Sequence, residues 1–539
     1  GLLSSGKSIE TTLEALPAII RECPDVVFLV LGRTHPVVVR NDGEIYRESL
    51  MARVKELKIE NHVKFVNKYL GLPELLEYLQ LTDIYVFTSK DPNQAVSGTF
   101  VYAMSCGCPI ISTPIPHAKE LLTADTGMIF DFGNSKQLAE SVNSLLNNEK
   151  LLTKISINTL EKIASTSWEN SAVAHTNLFY EVSNSQIYIR YNLPEINMGH
   201  LDEMTTDFAL IQFSKLNQPD LESGYTLDDN ARALVAMCEY LKIKGDKESL
   251  IGIRKYLNFI KSCQQRGGSF LNYVDKNRNF TDQNTKTDLG DSNGRALWAL
   301  GHVVSMKNAL PKPIVNDAIA IFDKAIANLK SINSPRSIGF AIKGIYGYQL
   351  GQRSMEYVDL VKVFAERLMK MYKQESSLMW EWFENSLTYA NSILPEAMLY
   401  AYLITGEPIY KDIARNSFNF LLSNIYNGHG IEVVSNKSWL RKGEAPGEYG
   451  EQPIDVGYTI MTLSKFYEVF EDEDYFQKMV TAFNWFLGKN RLHQIIYNPC
   501  TGGCYDGLEA KGINLNQGAE STVSYLLARF TMEKYKNEY

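Results

Sequence analysis

Long apolar runs, an excess of basic charge and a paired set of cysteines are all missing from this chain. No apolar window is long enough for a membrane helix and no signal peptide is legible, so no membrane span is expected. The net charge is -8 with no basic run, which argues against nucleic acid as a partner. The 7 cysteines are odd in number and scattered, so no disulfide framework is expected and a reducing, cytoplasmic setting is. Cys106 with Cys108, and Cys500 with Cys504, have no histidines nearby, so no metal is expected. The first residue is Gly and no strand precedes GLLSSGKSIE, so the chain reads as cut from something longer.

At 539 residues, 45% hydrophobic and 22% charged, the sequence is that of a soluble globular protein with two or three domains. Its back half repeats itself. A polar turn with a carboxylate or amide opens into a small, apolar helix at LDDNARALVAM (Leu227), DLGDSNGRALWALG (Asp288) and RSIGFAIKGIYGYQLG (Arg336). The same pattern returns at TYANSILPEAMLYAYLITG (Thr388), EQPIDVGYTIMTL (Glu451) and NQGAESTVSYLLA (Asn516). Between them lie amphipathic stretches with charged faces, such as KESLIGIRKYLNFIKSC. Inner helices need small residues for close approach and outer helices need one wet face, so the alternation predicts a closed helical toroid over 203–539. MTTDFALIQFSK at Met204 is its expected first outer helix, and 186–202 an expected linker.

The acids fall where the expected inner helices begin. Asp228, Asp229, Asp291, Asp455 and Glu520 sit at such starts, with Glu384 and Glu451 just before two of them. Carboxylates at helix starts cap free N–H groups, a structural reading that suits each acid singly. Taken together they share their end of the ring with Trp380, Trp382, Tyr389, Asn293, Arg295 and Gln517, a mixture that suits sugar hydroxyls and sugar faces. Glycoside cleavage needs one carboxyl held protonated and a second as base or nucleophile. The candidates are Asp229, Asp291, Glu451 and Glu520, with Asp228 and Asp455 orienting them and Glu384, Trp382, Tyr389, Arg295 and Gln517 in support. Spacing does not assign acid and base.

Residues 1–185 alternate β-branched runs with helical segments. VVFLVLG, HVKFVNKYL, DIYVFTS and PIIST read as parallel strands joined by helices, an α/β arrangement. Ligands in such sheets bind beyond the strands' carboxyl ends. The segment SKDPNQAVSGTFVYAMSCGCPIISTP places Ser97, Gly98 and Thr99 at a helix start, where backbone N–H groups could hold a diphosphate. His35 and His117 also follow strands on that side.

With its opening GLLSSGKSIETTLEAL, then FLVLG, DIYVFTS and this loop-helix, the region resembles the carboxyl-terminal, donor-binding domain of the retaining GT-B glycosyltransferases of family 4. The resemblance implies a Rossmann-like half of GT-B, with an amino-terminal acceptor domain that is missing from the chain. It implies that Lys7 meets the donor diphosphate alongside the amides around Gly98. It implies a UDP- or GDP-linked sugar as substrate, without a separate cofactor. Leu2 stands where the family carries arginine, and Gln94 and Tyr102 where it carries paired glutamates, so a ribose clamp is lost. The back half resembles the (α/α)6 toroids of carbohydrate-active enzymes and the toroid that follows family 4 domains in some bacterial proteins. Hexosyl transfer to an oligosaccharide or polysaccharide, with the toroid binding or trimming glycan, is the first expected function. The alternatives are a toroid hydrolase, phosphorylase or epimerase on a degenerate scaffold, and a non-catalytic saccharide-binding module.

Overall fold

Short β-branched runs too brief for helices, separated by amphipathic stretches, fold into a layered α/β unit over Gly1–Trp168; the all-helical pattern behind it folds into a second unit, Glu169–Tyr539. The computed structural model describes residues 1–183, 189–327, 332–428, 430–510 and 512–539. In the first unit β1 (Phe28–Leu31) pairs in parallel with β2 (Val63–Val66). Separately, β3 (Tyr85–Phe87), β4 (Ile110–Ser112) and β5 (Gly127–Ile129) form a parallel sheet in that order. The four anticipated strands are present, and β5 escaped notice because it is three residues long and begins with Gly127. The helices are α1 (Ile9–Glu22), α2 (Pro36–Asp42), α3 (Ile45–Leu57), α4 (Leu72–Gln80), α5 (Gly98–Ser105), α6 (Pro116–Leu121), α7 (Ser135–Leu146) and α8 (Glu149–Ala164). Leu13, Leu16 and Ile19 of α1 recur at helical spacing and are buried.

The second unit holds α9 (Trp168–Ser183), α10 (Gly199–Glu203), α11 (Leu227–Lys244), α12 (Ser249–Cys263), α13 (Gly290–Ser305), α14 (Lys312–Ile326) and α15 (Pro335–Gly351). After them come α16 (Met355–Glu375), α17 (Ile393–Thr405), α18 (Pro408–Ile425), α19 (Pro453–Phe470), α20 (Glu473–Phe486) and α21 (Ala519–Glu533). The inner helices α11, α13, α15, α17, α19 and α21 each pack on the next, and α21 returns to α11, so the ring closes. They are buried nearly all round, as with Ser292 to Leu300 of α13. Outer helices bury one stripe, as in α14 with Ile314, Ala318, Ile321, Phe322 and Ala325. The wall is uneven: α13 and α15 make the most intimate contact, α17 and α19 the sparsest.

Two expectations are corrected. Residues 204–215 are not an outer helix. Thr205 bridges Leu210, Ile211 bridges Tyr225, and Ser214–Lys215 pairs with Gln218–Pro219. The hydroxyl of Thr206 accepts hydrogen bonds from the N–H groups of Phe208 and Ala209, both at 3.2 Å, a local bond that competes with the helix. The division between units falls after Trp168 rather than at 185. Asn170 of α9 accepts a 2.8 Å bond from the Ile495 N–H, so this helix packs with the ring. Most of the expected linker is also wall: the Pro194 carbonyl accepts from Arg529 Nε at 2.7 Å, and Met198, His200 and Leu201 are buried. Residues 186–188 of it lie outside the described residues.

The closest approach in the ring is backbone on backbone. A Cβ on Gly301 would lie 1.9 Å from the Gly344 carbonyl oxygen, and one on Gly351 2.0 Å from that of Val304. Neither clash can be relieved by rotating a side chain. Gly301→Ala is therefore expected to destabilise the protein by about 1–3 kcal/mol or more, read from the midpoint of urea unfolding, while Gly267→Ala, in open space and without a positive φ, costs less.

Candidate functional site

Two clusters of functional side chains stand out, one in each unit. In the first, the turn Ser5–Lys7 is tied to the carboxyl end of β3: the Thr88 hydroxyl donates to the Lys7 carbonyl, and the Lys90 N–H to that of Gly6. The Lys7 ammonium lies 5.2 Å from the centre of the Phe87 ring. Partial burial lowers its pKa, and no carboxylate among the described residues pairs with it. At the start of α5, Ser97 is buried with its hydroxyl 3.3 Å from that of Thr99, which also receives a 2.9 Å bond from Tyr85. The Cα of Gly98 faces open space. Lys7 and Thr99 line one cavity. A cation and a free helix N-terminus on one side of a parallel sheet can hold a diphosphate. Gln94 accepts from the Ser89 hydroxyl at 2.7 Å and donates to the Val96 carbonyl at 3.3 Å; Tyr102 is exposed. His35 is a helix cap, its Nδ1 accepting from the Val37 N–H. His117 is buried against Phe100, and burial lowers its pKa.

In the second unit the inner helices meet start to start. Arg232, buried on α11, donates to Asp229 at 2.6 Å, to Glu520 of α21 at 2.8 Å and to the Tyr458 hydroxyl of α19 at 3.1 Å. Asp228 lies 3.8 Å from Arg232 and 3.7 Å from Arg295 of α13. Asp291 accepts from Ser334 at 2.9 Å, Ser337 at 2.8 Å and the Tyr389 hydroxyl at 2.5 Å. Arg336 of α15 donates to Glu384 at 2.8 Å, to the Tyr389 carbonyl at 2.6 Å and to Thr388 at 2.5 Å. Asp455 of α19 accepts a 2.6 Å bond from the Ala390 N–H. These contacts link the starts of several inner helices, so the ring gathers Asp228, Asp229, Asp291, Glu384, Asp455 and Glu520 with Arg232, Arg295 and Arg336 at one end.

Their environments differ. Burial pushes the Asp455 carboxyl up to about 7, with Glu520 adding to it, and raises that of Asp229 through burial and the adjacent Asp228. Burial also opposes ionisation of Asp291, but Arg295 and the hydroxyls of Tyr389, Ser337 and Ser334 hold it below its usual value. The cluster thus holds carboxyls whose pKa values are pushed in opposite directions, a separation that acid–base work uses.

Other expected members stand elsewhere. Glu451 is 1% exposed and accepts from Trp485 Nε1 at 3.0 Å, with Arg491 Nε at 2.7 Å and Glu432 beyond it, a separate buried network. Trp382 is fully buried against Phe383 and Phe420, and Trp380 also packs on Phe420, so neither ring is a sugar platform. Gln517 is buried, accepting from Thr501 through its side chain and from His200 through its carbonyl. Asn293 bridges the backbone of Phe270 and Leu289. Tyr389, at 38% exposed, is the expected ring that remains at the cluster. Sequence reasoning missed Arg232 and Arg336; the acid-then-arginine spacing of DDNAR, repeated in DSNGR with Arg295, carried the signal for Arg232, and no such spacing marks Arg336. Among the described residues no group of His, Cys, Asp and Glu is arranged to hold a metal ion, and no helix is long and apolar enough to cross a membrane.

Residues 1–162 match the family model described as Glycosyl transferases group 1. Spore coat protein SA of Bacillus subtilis (strain 168) is 27% identical over 152 residues, 28% of this chain and 39% of that protein. The chain therefore spans about two fifths of the length of this curated relative. Cellobiose 2-epimerase from Bacillus thermoamylovorans shares the fold at 10% identity and a TM-score of 0.51, over 68% of this chain and 100% of its own. That share exceeds what the first unit can supply, so the likeness extends to the helical ring. Anabaena HepE in complex with UDP-glucose matches 34% of this chain and 47% of its own at 22% identity and a TM-score of 0.29.

The raised Asp455 carboxyl has a signed consequence. Its proton is held in the folded chain up to about pH 7, whereas the unfolded value is near 3.8. The stability it contributes is full below pH 3.8 and is lost as pH rises towards 7. Asp455→Asn retains an oxygen for the Ala390 N–H and cannot ionise. Thermal unfolding from pH 4 to 7.5 should therefore decline less steeply in this variant than in the parent.

Proposed function

We propose that this chain is the donor-binding part of a retaining GT-B glycosyltransferase that passes a hexosyl group from a UDP- or GDP-linked sugar to a saccharide. The observation that carries this reading is the unpaired Lys7 ammonium beside the open start of α5, both on the ligand side of a parallel sheet. The family match over residues 1–162 supports it. The neutral side chains of Gln94 and Tyr102 leave donor affinity resting on the diphosphate. UDP or GDP should raise the melting temperature of the full chain, and Lys7→Ala should remove that rise. No rise with any of UDP, GDP, ADP or their sugars overturns the reading.

A second reading concerns the ring and rests on Arg295. Its guanidinium is buried, its Nε has no hydrogen-bond partner among the described residues, and it lies over the Phe340 ring at 4.8 Å. A buried donor left unpaired is costly, and a polyol oxygen supplies what it lacks. Asp228 and Glu520 are near enough to the surface to accept sugar hydroxyls, their side chains being 22% and 40% exposed. The ring is then a saccharide site, with Asp455 and Asp291 the carboxyls of raised and lowered pKa available to chemistry. Titration with a panel of neutral oligosaccharides should give binding that Arg295→Met weakens by about tenfold or more. Sugar release or isomerisation in the parent, lost in Asp455→Asn, marks an enzyme; binding alone marks a module.

A further inference from the structure

The bore of the helical ring holds a second cavity, at the end away from the carboxylate cluster. Its volume is about 230 Å³ and side chains of all six inner helices line it, on α11, α13, α15, α19 and α21 towards the carboxyl ends. Three aromatic rings close the bore between the two ends. Trp298 of α13 stacks on Phe340 of α15 with centroids 5.9 Å apart, and the two meet Tyr458 of α19 at 6.0 and 5.6 Å. In the ring order α13 and α19 stand opposite each other, so the contact of Trp298 with Tyr458 spans the bore. From the cluster side Arg295 lies 4.8 Å from the Phe340 ring and Arg232 bonds to the Tyr458 hydroxyl; from the far side Lys343 lies 4.7 Å from the Trp298 ring. The far cavity is a compartment of its own.

Its wall carries both signs of charge. At the floor Lys343 donates to both oxygens of Glu396, at 2.9 and 2.8 Å, and both residues are buried. Towards the mouth, where exposure rises to 53% at Lys534, Glu468 pairs with Lys465 and Lys534, and Glu239 with Lys242 and His302. The carboxyl ends of helices favour lysines and account for these four. They disfavour carboxylates, and so leave the three glutamates unexplained. Stability does not explain the floor pair either, because the desolvation of two charges can exceed their attraction and an apolar pair of the same volume often serves a fold as well. What the alternation does provide is hydrogen-bond donors and acceptors side by side with little net charge, four lysines against three glutamates with His302 neutral. A sugar hydroxyl uses both kinds of partner at once, whereas an anion would meet the glutamates and a cation the lysines. Tyr346 adds a hydroxyl to the wall that has no hydrogen-bond partner among the described residues. We infer that this cavity is a second binding site, for a single neutral sugar ring or a polyol of similar size. It does not depend on the carboxylate cluster being a saccharide site.

The test is calorimetric titration of the full chain with glucose, galactose, mannose and N-acetylglucosamine, one at a time, and with inorganic phosphate as the anionic probe. At least one sugar should bind saturably with a Kd below about 10 mM. Arg295→Met, at the other end of the bore, should leave this binding in place. Lys343→Met combined with Glu396→Leu should weaken it by at least about tenfold, while the melting temperature holds or rises. If that double variant does not fold, Lys465→Met with Glu468→Gln at the mouth should weaken binding several-fold. Absence of saturable binding by every sugar overturns the inference, and so does binding of phosphate alone. Binding that Arg295→Met removes and the floor variant leaves intact overturns it by placing the sugar at the cluster. A floor variant with a lowered melting temperature and unchanged affinity overturns it by assigning the pair to the frame of the ring.

Discussion

Six parallel helices closed into a ring must bring six positive helix ends together, and the second unit is organised around that constraint. Free N–H groups and aligned dipoles at one end of the bore favour carboxylates there, while closure leaves little water to solvate them. The chain answers with arginines. Arg232 reaches carboxylates on α11 and α21 and a hydroxyl on α19, and so ties the two ends of the ring's sequence to each other. Arg336 does the same between α15 and the segment that precedes α17. The result is a band of opposite charges in which burial raises the pKa of Asp455, while Arg295 and three hydroxyls hold that of Asp291 down.

Much of this was legible in the sequence, because the relevant signals are periodic or tied to helix starts. Six small, apolar helices opening on polar turns announced the ring, and the acids at those turns do meet, apart from Glu451. The parallel strands were legible from four β-branched runs. What failed was whatever depends on which way a side chain points. Trp380 and Trp382 lie next to the cluster in sequence, yet both rings turn into the core around Phe420. Glu451 precedes α19 by two residues and turns towards Trp485. Residues 204–215 carry apolar residues at plausible helical spacing, but Thr205 and Thr206 commit their hydroxyls to local backbone and to tyrosine partners. Local competition of this kind leaves no periodic trace.

The two units solve the problem of buried polarity differently. The ring internalises charge and pairs it; at its other end Lys343 donates to both oxygens of Glu396, at 2.9 and 2.8 Å, while stacking its ammonium 4.7 Å from the Trp298 ring. The α/β unit instead keeps its distinctive cation, Lys7, out of any ion pair among the described residues and leaves a helix start open. One arrangement pairs its buried charges with each other, the other is poised for an anion.

The unequal wall of the ring has a mechanical corollary. Where α13 meets α15 the main chains touch through glycine and nothing remains to yield, so that seam behaves as a weld. Where α17 meets α19 the backbones approach least, and the Asp455 carboxyl reaching the Ala390 amide acts as a stitch across it. The two seams of the hoop thus differ in kind, one fixed by touching main chains and the other spanned by a carboxyl whose pKa burial raises.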